Sequence, residues 1–456
     1  MNAAATLGRL AALVCCALAV ALAGPAQAKI DGISGTGAGT PDNPRVFNLV
    51  ATDASLVTGD GNTVYAWGYA DAATGTMQYP GPTLIVQQGE TVTINLVNKL
   101  PVDSLAVSIV FPGQMNVAAA CPGSGGACSD GLLTKEAGRN GAVSYTFVAG
   151  QPGTYLYHSG SQPSLEVEMG LLGALIVRPA GFDATVPAKR KAYSQAGTEY
   201  DREFMLLLTE MDAAMHDKVA GQVQAGKPID VDTSAFYATL WFINGRNSPD
   251  TLVGAGVPWL PNQPYSAAPV MHPGDKVLIR EINAGRDLHP FHHHGAHMQA
   301  LARDGRVLES APGSGPDLGS ADFTIRSIPG QTADLIFEWT GKGIGWDIYG
   351  TTNGHTCVPD ASGFSPTHEW CADHGKPIPV LLPNQQDVTF GEYYSGSPYL
   401  GAAGVLPQGN PALNDNAGYF HIWHSHNEKE ITTNDVFPGG MKTFLIIEAP
   451  GVPITE

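Results

Sequence analysis

Histidines separated by a single residue are the feature of this sequence that best predicts chemistry. Two such pairs occur, His292 with His294 and His424 with His426. On a β-strand, residues i and i+2 project from the same face, so each pair would present two imidazoles together. Two pairs on adjacent strands would converge on one metal ion or on a metal pair, and imidazole suits copper, zinc and iron. The spacing therefore predicts a metal site built from these side chains.

The remaining histidines lack this spacing, and we expect structural or surface roles for them. His421 has the opposite parity to His424, and His297 has the opposite parity to His294. His293 shares a strand face with His289 instead of with the pairs. We expect the others to lie on the surface or in loops: His216, His272, His355, His368 and His374.

The elements that position the pairs are predicted to be short strands. The chain has 55 glycines and 34 prolines, and 14% of its residues are charged. Runs rich in β-branched residues, such as 91–97 and 142–148, are separated by turn residues, and long amphipathic helices are absent from the pattern. This pattern of short strands and turns is typical of all-β sandwiches or barrels.

The strand pattern occurs twice along the chain. Residues 89–98 and 274–283 both begin at a Gly-acid turn and end at an asparagine, which suggests an internal repeat. A charged, Ala-rich stretch over 180–203 is predicted to be a linker. We infer two domains, at about 30–180 and 200–456, with an insertion in the second at about 341–417.

The N-terminus predicts export. Arg9, an apolar stretch over 10–23 and the small-residue site at 26–28 form a signal peptide over residues 1–28. The four cysteines that follow suggest two disulfides, and short separations favour Cys121–Cys128 and Cys357–Cys371, although other pairings stay open. We expect a periplasmic or secreted protein without a membrane span.

The net charge of −18 argues against nucleic acid or an anionic membrane surface as partner, since both require a basic patch. It is compatible with cationic substrates or metal ions. It equally fits an acidic exported protein with neither.

Several motifs resemble the multicopper oxidase family over nearly the whole chain outside the insertion. They are residues 79–84 with Gly89-Glu90 and Asn98, 153–159 with 170–177 behind them, 242–246, the His-rich 289–295, and 420–441. The resemblance implies an all-β chain of two cupredoxin-like Greek-key β-barrel or sandwich domains, and copper as the metal.

The resemblance also implies a trinuclear copper cluster held by four His-X-His pairs, and only part of it is present. The third and fourth pairs are complete, and the second keeps His158 but has Gly160 as its partner. The first pair is replaced by Val110 and Pro112, so five of eight positions are histidine. We predict a mononuclear or dinuclear copper site, with these metal ligands: His158, His292, His294, His424 and His426.

The type 1 electron-transfer copper of the family should lie on the side of the strand where His289 projects. Ser425 stands where the resemblance requires cysteine, and Glu430 stands where it requires a second histidine. Met441 lies too far along the chain from Glu430 for the usual axial ligand. A serine oxygen cannot form the copper–thiolate bond of a blue site, so we expect no type 1 copper, while His289 stays a candidate metal residue.

Two functions remain open. In the first, the protein is a copper oxidoreductase whose small reduced substrate, or O2, meets the cluster directly. In the second, it is a non-catalytic metal-binding or scaffold protein of the periplasm. A two-domain nitrite reductase is a weaker third hypothesis, because that family also needs a type 1 cysteine.

The resemblance implies a homotrimer as one assembly, with His158 reaching the pairs from the same chain or a neighbour. Nearby acids are expected to be solvated or to orient ligands: Glu166, Glu168, Glu428 and Glu430.

Overall fold

A computed structural model describes residues 30–103, 105–123, 127–347, 355–377, 396–397, 419–450 and 452–454. The predicted signal peptide lies outside these ranges, as does much of the predicted insertion. The described residues form mostly short strands arranged in sheets, which confirms the all-β prediction.

The first half of the chain folds into two main sheets. One has the strand order β3-β2-β1-β5-β9-β6, the other has the order β10-β11-β4, and β7 pairs with β8 separately. Apolar residues from both sheets enclose one core, which includes Phe47, Trp67 and Tyr157. The strands are β1 (Arg45–Val57), β2 (Thr63–Asp71), β3 (Met77–Gln78), β4 (Gly81–Gln87), β5 (Thr91–Asn98), β6 (Ala118–Ala120), β7 (Cys128–Asp130), β8 (Lys135–Ala137), β9 (Ala142–Val148), β10 (Gly153–His158) and β11 (Leu172–Arg178).

The second half repeats this plan around its own core. One sheet runs β13-β12-β15-β21-β17-β18 with β19 beside β17, and the other runs β14-β24-β23-β16-β20 with β22 beside β23. The strands are β12 (Arg202–Met211), β13 (Leu240–Ile243), β14 (Val270–Met271), β15 (Lys276–Asn283), β16 (His289–His293), β17 (Met298–Arg303), β18 (Arg306–Val307), β19 (Ala321–Asp322), β20 (Thr324–Ser327), β21 (Thr332–Glu338), β22 (Gly396–Ser397), β23 (Tyr419–Ser425) and β24 (Lys442–Ile447).

The internal repeat is confirmed at β5 and β15. Each strand runs parallel to the first long strand of its half and antiparallel to a later one. Each ends at a fully buried asparagine, Asn98 or Asn283, whose side-chain amide donates to two backbone carbonyls. The same side chain therefore fastens the same corner of both halves.

A third apolar cluster joins the two halves. It combines residues of β1 and β2, such as Leu56 and Ala66, with residues of β12 and β13, such as Leu207 and Phe242. The segment predicted to be a linker also packs against the second half, because Ala192, Tyr193 and Tyr200 are buried with Leu278 and Leu301. The exact domain boundaries stay a prediction.

Helical structure is confined to connections. The short α1 (Pro163–Glu166) follows β10, and α2 (Ala213–Gln224) follows β12 with Asp212 as its N-cap, accepting from Met215 N at 3.1 Å. Single 3-10 turns occur at Pro187–Lys189, Thr233–Ala235, Asp250–Leu252 and Glu428–Ile431. None of the helices in the described ranges combines the length and apolarity needed to cross a membrane.

Both predicted disulfides are present. Cys121 pairs with Cys128, and Cys357 pairs with Cys371. The four cysteines after residue 28 are therefore all oxidised, and none of them offers a thiolate to a metal.

Candidate metal centre

The two His-X-His pairs lie on adjacent antiparallel strands. In the register of β16 and β23, His292 is directly opposite His424, and His293 is opposite Trp423. Burial alternates along β23, so that Trp423 and Ser425 face the core while His424 lies on the other face. The predicted adjacency of the strands is confirmed, and the pairs share the outer face of their sheet.

The four imidazoles form a compact group, called here the four-histidine cluster (His292, His294, His424 and His426). Ring centroids of neighbouring members lie between 4.5 and 5.6 Å apart. His292 and His294 are buried, whereas the side chain of His426 is 57% exposed. The cluster is therefore anchored in the sheet and open on one side.

Two of the rings, those of His292 and His424, are oriented by hydrogen bonds to neighbouring oxygen atoms. The Nδ1 atom of His292 lies 2.7 Å from Thr324 Oγ1, and that of His424 lies 2.7 Å from the carbonyl oxygen of Ser425. Such contacts fix the tautomer that leaves Nε2 free to ligate. The Nε2 atoms of His424 and His294 are 3.3 Å apart, and two ligands bound at about 2.0 Å to one tetrahedral ion would be separated by roughly the same distance.

Burial favours the neutral form of three of these rings, those of His292, His294 and His424. Burial, with the neighbouring imidazoles His424 and His426, lowers the pKa of His292 to about 4. Burial, with the neighbouring imidazoles of His292 and His424, lowers the pKa of His294 to about 3. Burial also lowers the pKa of His424. Neutral imidazole is the metal-binding form, so this donor set fits a copper ion.

His158 is the one predicted ligand that the first half of the chain supplies. It ends β10, with Nδ1 2.8 Å from the carbonyl oxygen of Ser159, and burial lowers its pKa. It lines a cleft between the halves together with Glu210 and Arg286. Among the described residues, no hydrogen bond or ring contact links His158 to the four imidazoles, so its ligation stays a prediction.

His289 lies on the opposite face of β16, between two buried carboxylates. Its Nδ1 is 2.8 Å from Glu430 Oε2, and its Nε2 is 3.0 Å from Glu210 Oε2. Ser425 Oγ donates to the same Glu430 oxygen at 2.5 Å. Both ring nitrogens are thus engaged by acids, and the prediction that His289 ligates a metal finds no support in this geometry. A hydrogen-bonded network stands where the resemblance implies type 1 copper.

A similar arrangement occurs in the first half. Ser159 follows His158 as Ser425 follows His424, and its hydroxyl donates to buried Glu166. Burial raises the pKa of Glu166 to about 8. The signal in the sequence is a His-Ser pair followed within seven residues by glutamate, which occurs at both sites.

Three histidines expected on the surface or in loops have specific partners. His216 is fully buried on α2, where its ring contacts the carbonyl oxygens of Tyr65 and Glu168, so the surface prediction was wrong. His355 and His374 do lie in a loop, but each contacts Glu369. His421 is buried against Tyr419, as a structural role requires.

The His289 network predicts a pH-dependent stability. Burial alone would lower the pKa of His289, but hydrogen bonds to Glu210 and Glu430 and their charges raise it to about 9. A raised folded-state pKa stabilises fully below the ordinary value of 6.5 and no longer does so above about 9. The contribution is on the order of 3 kcal/mol, since one pKa unit corresponds to about 1.4 kcal/mol.

We therefore expect His289→Gln to lower the free energy of unfolding in weakly acidic buffer and to have much less effect in alkaline buffer. Urea denaturation of both proteins across this range measures the difference. His297→Gln, at an exposed ring just after β16, is the control. A gap between wild type and His289→Gln that does not shrink with rising pH would contradict the prediction.

Part of the chain is similar in sequence to known copper enzymes. Residues 60–181 match the family model described as multicopper oxidase. A probable nitrite reductase-hydroxylamine oxidoreductase fusion protein of Kuenenia stuttgartiensis is 28% identical over 50% of this chain and 22% of its own length. An L-ascorbate oxidase of Brassica rapa subsp. pekinensis is 28% identical over 35% of this chain and 25% of its own. The aligned region thus spans a quarter or less of each of these curated relatives.

The fold agrees with this match over most of the chain. The crystal structure of a blue copper oxidase from Nitrosomonas europaea superposes with a TM-score of 0.52 at 19% identity, covering 89% of this chain and 86% of that one. At this identity the likeness shows the fold, which is the cupredoxin-like fold that the resemblance implied.

Proposed function

The chain is a member of the multicopper oxidase family, and from this premise we propose that it is an exported copper-binding oxidoreductase without type 1 copper. The observation that carries the proposal is the four-histidine cluster, in which His294 and His424 already hold their Nε2 atoms 3.3 Å apart. The donor set supports one or two copper ions rather than three, because Val110, Pro112 and Gly160 replace the other ligands of the family pattern.

The chain's own residues would hold the metal and leave it accessible. Thr324 and the carbonyl of Ser425 hold the Nδ1 atoms of His292 and His424, so that the Nε2 atoms of these rings would carry the lone pairs that bind the metal. His426, more than half exposed, leaves one side open to a small reductant or to O2. Copper bound there would supply one-electron chemistry. Ser425, which is hydrogen-bonded to Glu430, replaces the cysteine whose thiolate would bind a type 1 copper. Without that electron-transfer copper, the substrate must reach the cluster directly.

Assembly with further copies of the chain would bring His158 to the cluster. Within one chain His158 lines the cleft between the halves. A homotrimer in which the first half of one copy covers the second half of the next would place a fifth imidazole there. Molecular mass in solution by light scattering tests this part of the proposal.

Export is supported by chemistry as well as by the N-terminal pattern. The two disulfides require an oxidising compartment to persist. We propose the periplasm or the extracellular space, and N-terminal sequencing of the protein recovered from either should begin after residue 28.

Metal analysis with visible and EPR spectra tests the function. We expect one or two copper ions per chain at the cluster, and no intense absorption of a copper–thiolate bond, because the described cysteines are disulfide-bonded and Ser425 occupies the cysteine position. A strong thiolate band would refute the ligand set. Copper that binds but is never reduced by phenolic or other small donors, and never re-oxidised by O2, would favour the non-catalytic scaffold.

A further inference from the structure

We propose that the disulfide-bonded loop of residues 355–374 contains a second metal site, which holds a divalent transition metal of the zinc type. The site is formed by two imidazoles and one carboxylate, from His355, Glu369 and His374. It is independent of the four-histidine cluster and of the copper proposal.

The three side chains are already arranged around one point. Glu369 Oε2 lies 2.9 Å from His355 Nε2, and Glu369 Oε1 lies 3.0 Å from His374 Nε2. One ligand atom from each residue can be chosen so that all lie within 4.8 Å of one another. Ligands of one tetrahedral ion at about 2.0–2.2 Å are separated by roughly 3.3 Å, so small side-chain rotations would admit the ion.

The loop is built to hold these ligands in place. The Cys357–Cys371 disulfide closes the loop, with His355 two residues before one cysteine and His374 three residues after the other. Two hydrogen bonds to Ser365 fix the backbone of Glu369. Its amide donates to Ser365 Oγ at 3.1 Å, and its carbonyl accepts from Ser365 N at 2.8 Å. The entropy of bringing the ligands together is therefore largely lost before a metal arrives.

The loop is fixed to the second half of the chain and not suspended in solvent. Trp370 N donates to Thr340 O at 3.0 Å, and Gly345 N donates to Asp373 Oδ2 at 3.0 Å. A Cβ on Gly274, at the turn before β15, would meet Thr367 O at 1.8 Å, so the loop lies directly on that turn. A metal here would cross-link the two ends of a loop that already packs against the domain.

The donor set selects the class of ion. Two imidazoles with one carboxylate suit zinc and similar transition metals, whereas calcium and magnesium require oxygen ligands. Glu369 is 3% exposed, and His355 and His374 are 15% and 18% exposed. The carboxylate is thus at the buried end and the imidazoles are toward solvent, which gives the ion an entry path and an open fourth position for water.

Titration of metal-stripped full-length protein with Zn2+, and with Co2+ as a spectroscopic probe, tests the site. We expect His374→Ala to bind one equivalent less than wild type and to lose the part of the Co2+ visible spectrum that belongs to this site. Glu369→Gln, which keeps the shape of the side chain, should weaken that equivalent by roughly tenfold or more, since even partners outside the ligand set cost this much.

His368→Asn is the matched control, because His368 is exposed in the same loop and its positive φ of 66° is tolerated by asparagine. It should bind like wild type, as should His426→Ala at this site. If both His374→Ala and Glu369→Gln bind metal with wild-type stoichiometry and affinity, the proposal is overturned. The three side chains would then form ion pairs with one another and not a metal site. Equal loss from His368→Asn would also overturn it, because binding would then not depend on the three ligands.

Discussion

Alanine in place of His292 or His426 should remove most of the copper that the four-histidine cluster binds. The ring of His292 is 4.5 Å from that of His294, 5.6 Å from that of His424 and 5.1 Å from that of His426, so it contacts every other member. A mononuclear site loses a large part of its affinity with any one ligand, because copper held by fewer imidazoles competes poorly with buffer and water. Copper content after gel filtration, with EPR of the remaining signal, measures the loss.

His297→Ala is the matched control for this experiment. His297 is exposed, and its ring contacts Phe323 at 5.2 Å, the same phenylalanine that His292 contacts at 5.5 Å. It therefore removes a nearby imidazole without touching the cluster, and copper should be retained. If His292→Ala and His426→Ala both keep full copper content at the cluster, the imidazoles are a relic and the scaffold function replaces the proposed one.

Each His-X-His pair could be predicted from the sequence because its information is local, whereas the adjacency of the two pairs required the family resemblance. Alternation along a strand places His292 beside His294, and the resemblance places β16 next to β23 despite the intervening insertion. Alternation also excludes a slip by one residue, which would move a pair to the core face, but the pairing of His292 with His424 comes from the structure. The internal repeat that ends at Asn98 and Asn283 could also be predicted from the sequence, because a Gly-acid turn and a following strand occur in the same order in both halves.

The environments of the other buried histidines could not be predicted from the sequence, because they depend on partners that are distant along the chain. His289 is held by Glu210, a residue of β12 almost eighty positions earlier. His216 is buried because α2 packs against β2 and the residues before β11, and nothing in its own neighbourhood predicts this. His355 and His374 lack the i, i+2 spacing, so the residues next to each of them do not predict that the two lie together. The predicted Cys357–Cys371 bridge was the signal that would have placed them together.

A buried ion-pair network between the two halves is the other place where one substitution should have a large effect. Glu203, 1% exposed on β12, accepts from Arg178 of β11 and, at 3.0 Å, from Arg280 Nε of β15. Arg280, fully buried, also donates to Asp334 Oδ1 at 3.2 Å and to Thr154 Oγ1 at 3.0 Å. Strands of both halves are therefore tied to one carboxylate.

Glu203→Gln should lower the free energy of unfolding by about 3–5 kcal/mol, because it leaves two buried guanidinium groups short of negative charge. Burial alone would raise the pKa of Glu203, but Arg178 and Arg280 hold it below its ordinary value, so the stabilisation is present at neutral pH and is lost as acid protonates the carboxylate. Urea denaturation at neutral pH measures the effect. Glu199→Gln is the control, since its pair with Lys191 is 43% and 32% exposed and should contribute about 0–1 kcal/mol. A loss for Glu203→Gln no larger than for Glu199→Gln would mean that the buried arginines find other partners, and that the apolar cluster between the halves holds them together without this network.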